Sequence, residues 1–132
     1  MINSDAFSYI NVLDKAADAS YTRETLIANN IANADTPTYK RKDLDFQSVL
    51  EKELRTGSTQ YPNLDTLVKH MDTSNLTAEV YKDYENYSYR IDKNNVDIDT
   101  ENVELASEQL RYQQLTTAVT NEFSHLKIAI GS

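Results

Sequence analysis

Ala6, Ile10, Leu13, Ala17, Ser20, Glu24, Ile27, Ile31 and Ala34 recur at alternating steps of three and four. That spacing lays one stripe along a helix running from about Ser4 to Ala34, close to heptad periodicity. A second helix closes the chain, from about Asp99 to Ile130. There Leu105, Tyr112, Val119 and Leu126 repeat every seven residues, with Thr116, Phe123 and Ile130 on an adjacent row. A helix of about thirty residues is roughly 45 Å long, too long for the short segment between the two to cover its stripe. The helices must therefore pair with each other or with further copies. The expected fold is mainly α: two long terminal amphipathic helices pairing as an α-helical hairpin or coiled coil, around a small irregular middle module. Ser20 and Glu24 interrupt the first seam, so that helix is no self-sufficient coiled coil.

The punctuation fits this outline. Asn3 or Ser4 can cap the first helix, and Thr36-Pro37 ends it, because proline biases its predecessor away from helical geometry. Asp97 or Asp99 can cap the last helix, Glu101 and Glu104 suit its positive end, and Gly131 stands where a C′ residue belongs. Between them, Phe46, Val49, Leu50 and Leu54 predict a short helix within Asp43 to Arg55. Residues 56–75 are polar, broken by Gly57 and Pro62, and read as a mobile loop. Tyr87, Tyr89 and Ile91 alternate as in a short strand. The expected organisation is an N-terminal axial helix (1–35), a middle module (36–99) and a C-terminal axial helix (100–132), forming one structural unit.

Composition narrows what such a chain does. Only 39% of residues are hydrophobic, against a usual ~45–50%, so burial is expected to be completed by neighbours. The net charge of −8 argues against nucleic acid and direct lipid binding, both of which need a basic footprint. The one basic run, Lys40-Arg41-Lys42, is flanked by Asp35, Asp43 and Asp45 and reads as a solvated or partner-facing cluster. No Cys is present, which removes thiolate chemistry and Cys-based metal sites. Nothing approaches the ~18 apolar residues of a membrane span, and Met1-Ile2-Asn3-Ser4-Asp5 lacks the regions of a secretory signal peptide. Asp92, Asn94, Asn95, Asp97 and Asp99 fail the calcium-loop register, with Asp97 at the glycine position and Val103 at the bidentate glutamate position. His70 and His125 lie in no metal-ligand spacing. No cofactor, metal or catalytic constellation is expected, and the chain reads as a non-enzyme.

The segment that generic helix-making does not explain is Asn29-Asn30-Ile31-Ala32-Asn33-Ala34-Asp35-Thr36-Pro37-Thr38-Tyr39-Lys40-Arg41. Asn is a poor helix-interior residue, since its side chain competes for backbone hydrogen bonds. Local stability has been given up there for another demand. The segment, with Asp45-Phe46 beyond it, resembles the N-terminal signature of flagellar axial proteins of rod and hook. Tyr89-Arg90-Ile91-Asp92-Lys93-Asn94-Asn95-Val96-Asp97, followed by Glu104-Leu105-Ala106 and Leu110-Arg111-Tyr112-Gln113, narrows the match to the flagellar basal body rod family, and within it to proximal rod members. Thr38 stands where the family usually has Gly, and Glu108 where it often has Asn.

The resemblance implies a structural subunit of the proximal rod, assembling with copies of itself and other rod proteins around the export channel and joining the membrane ring. It also implies transmission of torque, export through the flagellar type III apparatus without a cleaved signal, and residence in the basal body outside the cytoplasmic membrane. The residues it marks for assembly contacts are Asn29, Asn30, Ile31, Asn33, Thr36, Pro37, Tyr39, Asn95, Val96, Asp97, Leu105, Tyr112 and Phe123. Acidity, small size and amphipathic helices also permit a cytosolic helical binding module or a type III secretion chaperone. That alternative gives no reason for the Asn-Ile-Ala-Asn…Thr-Pro segment.

Overall fold

Two long helices form an antiparallel hairpin: α1 (Ser4–Ala32) and α4 (Ile98–Gly131). A computed structural model describes residues 4–84 and 94–131. The antiparallel sense shows in the bonded pairs, Ser20 with Glu108 and Asn30 with Glu101. The α1–α4 contact is the most extensive in the molecule. Of the expected C-terminal rows, Leu126 is buried and Leu105, Tyr112 and Val119 are half-buried, while Phe123 and Ile130 are exposed. Asp97 caps α4, its Oδ1 accepting from the N–H groups of Asp99 and Thr100. Gly131 falls in the last turn of α4 rather than beyond it.

The middle module comprises β1 (Lys42–Leu44), α2 (Phe46–Ser58), α3 (Leu64–His70) and β2 (Val80–Lys82). β1 and β2 pair antiparallel in the register Lys42–Lys82, Asp43–Tyr81 and Leu44–Val80. Asp45 caps α2 by accepting from the Ser48 N–H at 3.0 Å. The stretch 56–75, read as a loop, is mostly structured: α2 runs on to Ser58, α3 follows, and Thr73–Asn75 forms a 3₁₀ turn. Asn63 caps α3, and Leu67 and Val68 are buried, with α3 packed on α1. Two turns are too few for helical periodicity to show in the sequence. Gly57 has its own reason: a Cβ there would meet Leu67 Cγ at 3.0 Å. The strand expected at Tyr87, Tyr89 and Ile91 lies outside the described residues.

Among the described residues, ten apolar side chains are buried, alongside seven polar or charged ones. Apolar burial alone therefore does not define this interior. Five of the polar groups, Asn30, Asp43, Asn94, Asn95 and Glu101, gather at the closed end of the hairpin, where α1 ends and α4 begins, and the Ser20–Glu108 pair lies further along the helices.

Candidate functional site at the closed end of the hairpin

Three asparagines organise the closed end by behaving as detached peptide groups. Asn30 is 0% exposed. Its Nδ2 donates to the Lys42 carbonyl at 2.8 Å, and its Oδ1 accepts from the Lys42 N–H at 2.9 Å. It thus supplies both bonds that a further strand would offer β1. Asn95 extends the pattern, accepting from the Arg41 N–H at 2.9 Å and donating to the Asp83 carbonyl at 2.7 Å. Asn94, also 0% exposed, donates through Nδ2 to the carbonyls of Asn33, Ala34 and Thr36 at 2.9, 3.0 and 2.8 Å. Those carbonyls lie just past the end of α1, where the Thr36 N–H reaches the Asn33 carbonyl at 3.1 Å and the Tyr39 N–H the Thr36 carbonyl at 3.3 Å, and Asn94 adds the donor that Ala34 needs. An amide that both donates and accepts is the side chain these places require, and within the Asn-rich segment it is Asn30 that meets this demand. The Tyr39 hydroxyl donates to Asn30 Oδ1 at 3.0 Å. Burial, and then the nearby Glu101 carboxylate, push the Tyr39 phenol above its ordinary value, keeping it a donor.

Around these amides runs a chain of ion pairs linking α1, β1 and α4. Arg23 on α1 bonds Asp43 at 2.8 Å, Glu108 at 2.8 Å and Glu104 at 2.9 Å. Arg41, entering β1, bonds the other Asp43 oxygen at 2.9 Å, Glu101 at 2.6 Å and Asp83 at 3.2 Å. Ser20 donates to the second Glu108 oxygen at 2.7 Å. Burial opposes the charge on both guanidiniums, yet the carboxylates outweigh it and hold both above their ordinary values. Burial likewise works to raise Asp43, but Arg23, the Leu44 N–H and Arg41 hold it below the usual carboxylate range. Among the described residues no buried side-chain nitrogen or oxygen lacks a partner.

The marked residues divide between interior and surface. Asn30, Asn95 and Val96 are buried within the chain, Tyr39, Ile31, Leu105 and Tyr112 are half-buried, and Tyr112 meets the Tyr21 ring at 5.9 Å. Half-buried Asn33 links exposed Asn29 and Thr36 in a string: Asn33 donates to Asn29, and Thr36 to Asn33. Pro37, Asp97 and Phe123 are exposed. Asn94, Arg23, Asp43 and Asp83 carry the closed end without having been marked. The one local signal was polar residues inside an apolar seam, Ser20 and its neighbours. The remaining bonds join residues up to 88 positions apart. Glu101 and Glu104, expected to serve the helix dipole, instead bond arginines.

Comparison with known proteins turns this geometry into kinship. The family model described as "Flagella basal body rod protein" matches residues 24–40, the end of α1 and the turn that Asn94 holds. Over 129 residues the chain is 36% identical to the flagellar basal body rod protein FlgB of Bacillus subtilis, covering 92% of each. The chain belongs to the FlgB family of flagellar basal body rod proteins. The FlgB of Escherichia coli is 35% identical over 83% of each chain, and that of Aquifex aeolicus is 31% identical over 97% of this chain and 89% of its own. FlgB proteins are structural rod proteins, not enzymes. Both departures from the usual pattern now have a setting. Thr38 has φ 63°, the left-handed conformation in which Gly is at ease and a β-branched residue is strained. Glu108 is 1% exposed, and its charge is met by Arg23 and Ser20.

Proposed function

We propose that this FlgB-family chain is a self-assembling subunit of the proximal rod, with the α1–α4 hairpin packed among copies and other rod proteins around the export channel. On this reading the chain leaves the cell through the flagellar type III apparatus and carries torque from the membrane ring. The observation that supports it is on α4. Glu101, Glu108 and Leu126, buried toward the rest of the chain, are spaced 7 and 18 residues apart, whole numbers of helical turns. Val103, Leu110 and Ile128 repeat the same spacing two residues later and so share the opposite face, at 69, 60 and 67% exposure. This apolar row is interrupted by Gln114, Thr117 and Asn121 between Leu110 and Ile128, and apolar positions that the chain does not cover suit a subunit finished by its neighbours. No helix among the described residues is long and apolar enough to cross a membrane.

The test is mass spectrometry of purified basal bodies stripped of hook and filament, set against the cytosol of the same cells. Enrichment with the basal bodies is expected. Confinement to the cytosol of fully flagellated cells would sink this reading in favour of a chaperone.

A further inference from the structure

The short sheet sets Lys42 directly opposite Lys82. The Asp83 N–H donates to the Arg41 carbonyl at 2.9 Å, so ladder bonds fall on either side of the two lysines. They form a non-hydrogen-bonded pair, the closer kind of cross-strand neighbour. Like charges there destabilise a sheet, and strands of three residues have little to spare. Neither lysine has an ion-pair partner among the described residues. With Thr38, Tyr39, Lys40 and Tyr84 they rim an open hollow of about 310 Å³. The result is a positive patch, framed by two tyrosines, on a chain of net charge −8. Lysine on an edge strand deters stray pairing, and that accounts for Lys82. It does not account for Lys42, whose strand is already covered on its outer side by the Asn30 amide.

We infer that Lys42 and Lys82 form a docking surface for a carboxylate-bearing face of a neighbouring protein subunit, a refinement that rests on the rod-subunit reading above. A carboxylate bridging the two ammonium groups removes their repulsion, so the pair that weakens the isolated chain tightens the assembly. A second copy of this chain has the required chemistry, with 21 acidic residues against 13 basic ones.

Lys82→Glu separates this from a purely internal role. In the isolated chain it replaces a repelling pair with an attracting one, so the melting temperature should rise by about 1–3 °C. Incorporation into basal bodies should nonetheless fall at least tenfold. Incorporation at the wild-type level would overturn the proposal. Wild-type basal bodies supply a second readout that does not depend on how the variant folds. Carbodiimide coupling should join Lys42 or Lys82 to an Asp or Glu of another chain, and both amines should acetylate more slowly than in the isolated protein. Equal acetylation in both states would count against docking, as would binding of the patch to phosphatidylglycerol vesicles that Lys82→Glu abolishes. The same preparation reports whether the chain is present at all. Its absence would sink the rod reading itself, which is distinct from finding the chain present with its lysines unprotected.

Discussion

Single residues at the closed end carry bonds that reach across the sequence. Asn94 shares its two N–H groups among three carbonyls at the end of α1, two of which also accept from the Thr36 and Tyr39 N–H groups, and it accepts from the Val96 N–H at 2.8 Å. Each buried polar group left unpaired costs ~1–3 kcal/mol, so Asn94→Ala, which strands the Ala34 carbonyl and the Val96 N–H, should lower unfolding free energy by about 2–4 kcal/mol in a urea titration. Asn94→Asp should do no better, since it sets a carboxylate against three carbonyl oxygens. Thr38 is the opposite case. A left-handed L-residue costs ~1–2 kcal/mol, and Gly gives back ~0.5–1 kcal/mol of this in chain entropy. Thr38→Gly should therefore stabilise by roughly 0.5–1 kcal/mol in the same titration. Of these two residues only Thr38 stood out in the sequence, because a glycine was expected there. Asn94 figured only in a calcium-loop register that fails and in the family match, and its partners lie some 60 positions away.

At the level of elements, the long helices were legible because thirty residues display their period many times over. β1 and β2 were not. Lys42-Asp43-Leu44 has no alternation to read, and its strand character depends on Asn30 and Asn95 standing in for missing neighbours. The ion pairs then fix how the elements sit together. Glu101, Glu104 and Glu108 lie along one side of α4 at steps of three and four, each bonded to Arg23 of α1 or to Arg41, which leads into β1. A one-turn slip of α4 would strand them, so the network specifies register more than it adds stability. It also makes the hairpin acid-sensitive. The Asp43 pKa lies lower in the folded chain than in the unfolded one, so the unfolded chain takes up that proton first. The stability it contributes is complete above the ordinary carboxylate value of ~3.9 and is lost as pH falls through the folded value. Asp45 and Asp72, held down by Ser48 and Ser74, act in the same sense. Urea midpoints should drop below about pH 4. Asp43→Asn should flatten part of that slope while costing about 2 kcal/mol at neutral pH.

For the molecule as a whole, low hydrophobicity foretold a chain finished by others but not which surface is left open. The back row of α4 belongs to neither heptad row visible in the sequence. It stands out only once the buried side of the helix is known. Leu110→Asp is therefore expected to change the stability of the isolated chain by less than ~0.5 kcal/mol while preventing incorporation into basal bodies. Urea unfolding and basal-body fractionation check the two halves of that expectation. A variant that unfolds normally and still enters basal bodies would remove the back row from the assembly surface.

The closed end also sets how the hairpin bears load. A pull sliding one helix along the other meets the Arg23 bonds to Glu104 and Glu108 in shear, where they stretch together and share the force. A pull peeling the helices apart from the other end meets their contacts one turn after another. The hairpin should thus resist sliding more than unzipping, a mechanical polarity built from Arg23 and its two carboxylates on α4.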